Sequence, residues 1–157
     1  MGIVLSLAVF FFAVVIHEFA HAFVAFKLGD TTAQRSGRLT LNPLAHIDPF
    51  GTILLPVMLV LVNSPVLFGW AKPIPVNFAG LKDPKKGMIW VALAGPLANL
   101  ACAFVTAILF KFGLKNPEIL TALLQYFMVI NVVLAVFNLI PIPPLDGSRV
   151  LMGILPR

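Results

Sequence analysis

Long apolar runs separated by short polar stretches set the frame of this chain. Residues 2–28 form the first run, in which His17, Glu18 and His21 are the only strongly polar residues before Lys27. A helix of that length, rising 1.5 Å per residue, crosses a hydrocarbon core of about 30 Å. Residues 29–49 are polar and punctuated by the turn pairs Gly29-Asp30, Ser36-Gly37, Asn42-Pro43 and Asp48-Pro49. Within them, residues 38–41 alternate in strand fashion and predict a short extended piece. Residues 51–70 are apolar but broken by Pro56 and Asn63-Ser64-Pro65, and their clean stretch, 53–62, is too short to span. Residues 69–78 carry Pro73 and Pro75, which exclude helix and predict an extended edge or hairpin. Two more full-length apolar runs follow, 88–110 and 119–140, the second closing in Pro141-Ile142-Pro143-Pro144. The pattern predicts an all-α polytopic membrane protein. Its expected parts are three full spanning helices, a re-entrant or partial apolar segment at 51–70, and short extended or β-hairpin segments.

Composition agrees with the pattern. Hydrophobic residues make up 60% of the 157 and charged residues only 11%, against about 25% charged in a soluble domain. Mean hydropathy is +1.01. The net charge of +5 raises the question of nucleic acid, but the basic residues sit in short clusters between apolar runs. That arrangement suits loops at an anionic membrane face, so the expected partners are the lipid bilayer and not nucleic acid. The single cysteine, Cys102, lies in an apolar run and has no partner for an internal disulfide. The N-terminal run lacks a basic leader and a small-residue cleavage site, so it reads as a retained helix.

The chemistry is concentrated in His17-Glu18-Phe19-Ala20-His21, an H-E-x-x-H pattern. Residues four apart on a helix are offset by about 40°, so both imidazoles point the same way and can bind one Zn²⁺. Glu18 is about 100° round from His17. It can therefore reach a water on the metal, as a general base does, rather than the metal itself. An ionisable group in a spanning helix costs about 2.5–3.5 kcal/mol on insertion scales, so three within five positions call for a compensating partner. The alternative is a polar hydrogen-bond cluster between helices. A zinc site needs at least one more protein ligand. Asp146 in Pro144-Leu145-Asp146-Gly147 is the best candidate, because the prolines stiffen its approach and Gly147 permits a tight turn. Glu118, Asp83, Asp30 and Asp48 have loop or turn contexts. His46 has three readings: a ligand displacing Asp146, a gate or second metal position, or a loop histidine bonded to backbone or Asp48. The last is favoured.

Three stretches in this order resemble the site-2 proteases, the intramembrane zinc metalloproteases. They are H-E-F-A-H in the first helix, Ala94-Gly95-Pro96-Leu97-Ala98-Asn99 in a later one, and Asn138-Leu139-Ile140-Pro141-Ile142-Pro143-Pro144-Leu145-Asp146-Gly147 closing another. Asn42 to Pro49 and Gly69 to Asn77 are similar to the compact subgroup without a PDZ or CBS domain. The resemblance implies one Zn²⁺ per chain held by His17, His21 and Asp146, with Glu18 as catalytic general base. It also implies Asn99 and Asn138 near the site, orienting substrate or steadying the oxyanion; a plain interhelical hydrogen bond is the alternative for each. Gly95-Pro96 reads as a close-packing and kink feature. Residues 1–157 read as a single intramembrane metalloprotease domain. The apolar helix beginning at 148–155 makes it either a piece cut short at the C-terminus or a short member of the family.

Depth gives an internal test. His17 and His21 lie in the second half of the first helix, and Asp146 lies just past the third long span. If 51–70 crossed the membrane, Asp146 would emerge on the opposite face. If it dips and returns, the ligands meet, and Lys27, Arg35, Arg38, Lys72, Lys82, Lys85, Lys86, Arg149 and Arg157 share one face, leaving Lys111 and Lys115 on the other. The positive-inside rule makes that face cytoplasmic. The expected protein is an integral protein of a bacterial or archaeal inner (plasma) membrane with its active site nearer the cytoplasm. The expected activity is hydrolysis of peptide bonds in or beside a transmembrane segment of a protein substrate, for regulated intramembrane proteolysis or membrane-peptide clearance. The competing class is a catalytically inactive homologue that binds transmembrane helices or metal, against which the complete Glu18-plus-ligand set argues.

Overall fold

A computed structural model describes residues 2–65, 69–112 and 117–156 of the chain. Lys115, Arg157 and residues 66–68 of the apolar 51–70 stretch lie outside the described residues. Three helices are long and apolar enough to cross a membrane: α1 (Ile3–Lys27), α4 (Pro84–Lys111) and α5 (Glu118–Asn138). Between them lie the single-turn α2 (Thr32–Arg35), the short α3 (Leu55–Leu61) and, after the last span, α6 (Asp146–Ile154).

The helix ends are set by local chemistry. α1 stops in a Schellman turn: Gly29 takes φ +112°, its N–H bonds the Phe26 carbonyl, and the Asp30 N–H bonds the Ala25 carbonyl at 3.0 Å. Only glycine enters that conformation without strain. α4 starts where Asp83 caps the Lys86 N–H at 3.1 Å and Pro84 fills the first turn. Its interior proline, Pro96, is buried.

Without water to drive them together, membrane helices associate through close packing of small residues. α1 supplies Ala13, Ala22 and Ala25, each at 0% exposure, and α4 supplies Ala92, Ala94, Gly95 and Ala103. The large apolar side chains point outward instead, among them Phe12, Trp90, Leu97, Phe104, Val129, Val133 and Phe137. This inversion of the soluble pattern puts the bulky side chains against lipid and the small ones in the seam.

The helical part of the 51–70 stretch is shorter than the three spans, running from Pro49 to Leu61. A π-helical turn (Pro49–Leu54) runs into α3, and the ends of the stretch are tied together. Trp70 donates its N–H to the Gly51 carbonyl at 3.1 Å, and Thr52 Oγ1 donates to the Trp70 carbonyl at 2.8 Å. Gly51 lies under the Trp70 indole so closely that a Cβ would overlap the ring. Phe50, Ile53, Leu54, Val57, Met58 and Leu61 are exposed along it. The segment therefore leaves and re-enters the fold at one place.

The expected β-hairpin pieces are not formed: no strand occurs among the described residues. Residues 39 and 40 bend within the expected 38–41 piece, and 71–77 run with neither helix nor ladder. The prolines explain the second case. Along 70–74 the inward hydrogen bonds fall on alternate residues: Trp70 N–H to Gly51, Lys72 N–H to the His46 carbonyl at 2.9 Å, and Ile74 N–H to Glu18. The intervening residues face the other way by the strand period of two. Pro73 and Pro75 sit at those positions and have no N–H, so a ladder on that edge lacks its donors.

Asp30 anchors the far end of this segment. Its carboxylate accepts from Thr32 N–H and from Asn77 N–H, the latter at 2.7 Å. Burial alone would push this carboxyl up, but the Thr32 and Asn77 hydrogen bonds outweigh it and hold it below its ordinary range. A depressed folded-state pKa means the anchor contributes in full above the ordinary carboxyl pKa of about 3.9 and is lost as pH falls through the lower folded value. Asp30→Ala should lower the thermal midpoint in detergent at pH 7 and flatten its fall below pH 4; an unchanged acid limb removes Asp30 from this role.

Candidate metal centre

The spacing of His17 and His21 on α1 puts both rings on the side facing α4, and Gly95 makes room for them. A Cβ at Gly95 would come within 2.6 Å of His17 Nε2 and would also overlap His21 Nε2. The rings therefore pack edge to face with each other against bare α4 backbone, both at 7% exposure or less. Asp146 reaches the same point from the first residue of α6. The turn that carries it contains a cis Pro143–Pro144 bond, and Gly147 packs onto the Leu139 carbonyl at the end of α5, where a Cβ would not fit.

His17 Nε2 and His21 Nε2 are 3.0 Å apart, and each is 3.1 Å from Asp146 Oδ2. His17, His21 and Asp146 form a buried group able to hold a metal ion. The proton positions sharpen this. His17 Nδ1 lies 2.6 Å from Asn99 Oδ1, and His21 Nδ1 lies 2.6 Å from the Val91 carbonyl. Both partners are acceptors, so each neutral ring carries its proton on Nδ1 and aims a lone pair from Nε2. Two such lone pairs and a carboxylate oxygen converge on one point. A single proton can serve two of them; a divalent cation serves all three. Four ligands arranged tetrahedrally at about 2.0–2.1 Å stand about 3.3 Å apart, so donors at 3.0–3.1 Å fit zinc with little adjustment. Without a metal, an imidazole that takes up a second proton on Nε2 can donate it to the Asp146 carboxylate; such donation, against the burial that pushes the carboxyl up, holds it well below the ordinary carboxylate range.

Glu18 is half-buried beside this group, and its Oε2 accepts the Ile74 N–H at 3.0 Å. The 71–77 segment therefore passes directly over the carboxylate. Arg38, buried, steadies that segment by donating to the Lys72 carbonyl at 2.7 Å.

The remaining expected residues separate. Asn99 is at 0% exposure with both ends of its amide engaged: Oδ1 on His17, Nδ2 on Asn131 Oδ1 at 2.7 Å and on the Ala13 carbonyl at 3.4 Å. It meets His17 at Nδ1, the ring nitrogen that does not face His21 and Asp146. Asn138 is half-buried and donates to the Leu134 carbonyl at 2.9 Å within its own helix. His46 is fully buried and bonds the Thr40 carbonyl through Nε2 at 2.8 Å, which places it in the loop that supports Lys72 and outside the three-donor group. Sequence reading passed over Asn131, fully buried in the middle of α5. The signal available was an amide in an otherwise apolar span, where a polar group needs a reason. The Ile74 N–H and Val91 carbonyl left no such trace, because backbone groups are invisible in sequence.

Gly95→Ala should drive both rings off the α4 backbone and lower bound divalent metal well below one per chain, by metal analysis of purified protein. Leu97→Ala, on the lipid-facing side of the same helix, should leave it unchanged. Full metal loading of Gly95→Ala would disprove the cradle.

The description "Peptidase family M50" matches residues 113–157. The chain is 45% identical to "Putative zinc metalloprotease YwhC" of Bacillus subtilis, over 89% of this chain and 64% of that protein. It is 32% identical to "Putative zinc metalloprotease Rip2" of Mycolicibacterium smegmatis, over 92% and 54%. It is 28% identical to "Zinc metalloprotease MJ0392" of Methanocaldococcus jannaschii, over 94% and 33%. The chain thus spans less than two thirds of the length of these curated relatives. No solved structure matches. The matched C-terminal stretch includes Asp146, and the relatives extend the likeness across the H-E-x-x-H helix, so the chain is similar to peptidase family M50, the site-2 proteases.

Proposed function

We propose that this chain carries the catalytic core of an intramembrane zinc endopeptidase that cleaves peptide bonds in or next to transmembrane segments of membrane proteins. One observation carries the reading: His17, His21 and Asp146 converge within 3.1 Å, with the Glu18 carboxylate beside them in a helix long enough to span a membrane. His17, His21 and Asp146 would hold one zinc per chain. When bound, zinc supplies Lewis acidity, polarising a peptide carbonyl and easing proton loss from water. Glu18 is the general base: it takes the proton from the attacking water and returns it to the leaving amide nitrogen. The Ile74 N–H holds Oε2 and so fixes the carboxylate's orientation. Asn99 acts through His17, and Asn138, partly exposed near the end of α5, is the residue proposed to meet substrate.

The site lies in the second half of α1, at the end where Lys27, Arg35, Arg38, Lys72, Lys82, Lys85, Lys86 and Arg149 gather. By the positive-inside rule this end is cytoplasmic, in an inner or plasma membrane. A substrate helix must unwind to expose a peptide bond there. The outward edge of 71–77 meets it with carbonyls and no Pro73 or Pro75 N–H, so it can accept hydrogen bonds from a substrate backbone but offers few.

Glu18→Gln should keep bound zinc at the parent level while cleavage of a model membrane substrate falls by about 10²–10⁴-fold, the usual contribution of a general base. Asp146→Asn should lose zinc and activity together. Parent-level cleavage by Glu18→Gln would overturn the mechanism.

A further inference from the structure

We propose that Asn131, on α5, is a positioning residue for the metal centre: through Asn99 it sets which ring nitrogen of His17 carries the proton. The inference rests on the zinc reading above and adds to it a residue that touches neither metal ligands nor Glu18.

The argument is an accounting of donors and acceptors along a buried chain. Asn131 Nδ2 lies 2.7 Å from the Phe127 carbonyl. A backbone carbonyl only accepts, so this end of the Asn131 amide is the NH2, and its Oδ1 faces Asn99. That oxygen accepts the Asn99 NH2 at 2.7 Å, and the same NH2 lies 3.4 Å from the Ala13 carbonyl, a second acceptor. Asn99 must then present Oδ1 to His17 Nδ1 at 2.6 Å, and Nδ1 must donate. His17 Nε2 is left with its lone pair, facing His21 Nε2 and Asp146 Oδ2. Asn131 and Asn99 are both at 0% exposure, so water does not compete for these bonds.

A pair of asparagines that merely glued α4 to α5 would work with either amide orientation. Here backbone carbonyls at Phe127 and Ala13 select one. Without the Asn131 oxygen, Asn99 keeps only the long contact to Ala13. Its amide is then free to turn and offer NH2 to His17 Nδ1, which can accept only if the proton moves to Nε2. In that tautomer Nε2 has no lone pair for the metal, so binding must first return the proton to Nδ1. His21 is an internal control, since its Nδ1 bonds the Val91 carbonyl directly and owes nothing to Asn131.

The test uses the full chain in detergent or nanodiscs, with ¹⁵N-labelled histidine. Ring ¹⁵N shifts of the metal-free protein are read at a pH where the imidazoles are neutral, and zinc affinity by competition with a chelator. Asn131→Leu should move the His17 proton to Nε2, leave the His21 pattern as in the parent, and weaken zinc by about 10–100-fold, the usual effect of losing an outer-shell partner. Asn131→Asp, which keeps an oxygen facing Asn99 and when protonated also donates to Phe127, should stay within about threefold of the parent, a bound set by the weaker limit of that range. Parental His17 shifts and affinity in Asn131→Leu would overturn the proposal, as would equal losses in Leu and Asp. If both rings change in Asn131→Leu, the site itself is distorted and Asn131→Asp decides: parental affinity upholds the relay, loss overturns it. If the parent binds no zinc, the metalloprotease reading fails, while the ring shifts still decide whether Asn131 sets the tautomer.

Discussion

Three electron-pair donors held 3.0–3.1 Å apart in a water-poor interior are the constraint on which this structure depends. Two imidazole nitrogens and a carboxylate repel one another there unless a cation lies among them. Their approach must therefore be enforced by the scaffold before metal can repay it. Each enforcing feature is on a different element: the four-residue spacing of α1, the bare backbone of α4 at Gly95, and the glycine-packed turn that aims Asp146 from α6.

The membrane makes this enforcement possible with few residues. Small side chains along the α1–α4 seam bring backbones close enough for Asn99 and the Val91 carbonyl to reach the backs of both rings. In lipid such polar contacts have little water to compete with, and an unmatched one is costly. The same rule accounts for the order of the Asn131–Asn99–His17 chain, in which each donor meets an acceptor and ends on backbone. The outer surface, by contrast, carries the bulky apolar side chains.

The base is held separately from the ligands. Glu18 is fixed by the backbone of 70–77, and that segment is itself held at intervals by Gly51, His46, Arg38 and Asp30. The re-entrant stretch, the loop containing His46 and the turn after α1 thus serve one purpose: they seat a proline-bearing strap over the carboxylate.

Much of this was legible in the sequence. The three spans, the His17–Glu18–His21 face, the pairing with Asp146 and the shortness of the apolar helix in 51–70 follow from helical period, apolar run length and the need for ligands to meet at one depth. Those properties are local or count-based, so the chain states them directly. What the sequence does not state is which polar atom meets which across helices. The turn of Asn99 toward the back of His17, the part played by Asn131, the loop position of His46 and the capture of Glu18 by the Ile74 N–H depend on helix rotation, and on backbone groups common to every residue. The extended 71–77 segment marks the boundary between the two. Pro73 and Pro75 ruled out helix from the sequence alone, but only the tertiary hydrogen bonds of its alternate residues decided that it would be a strap rather than a hairpin.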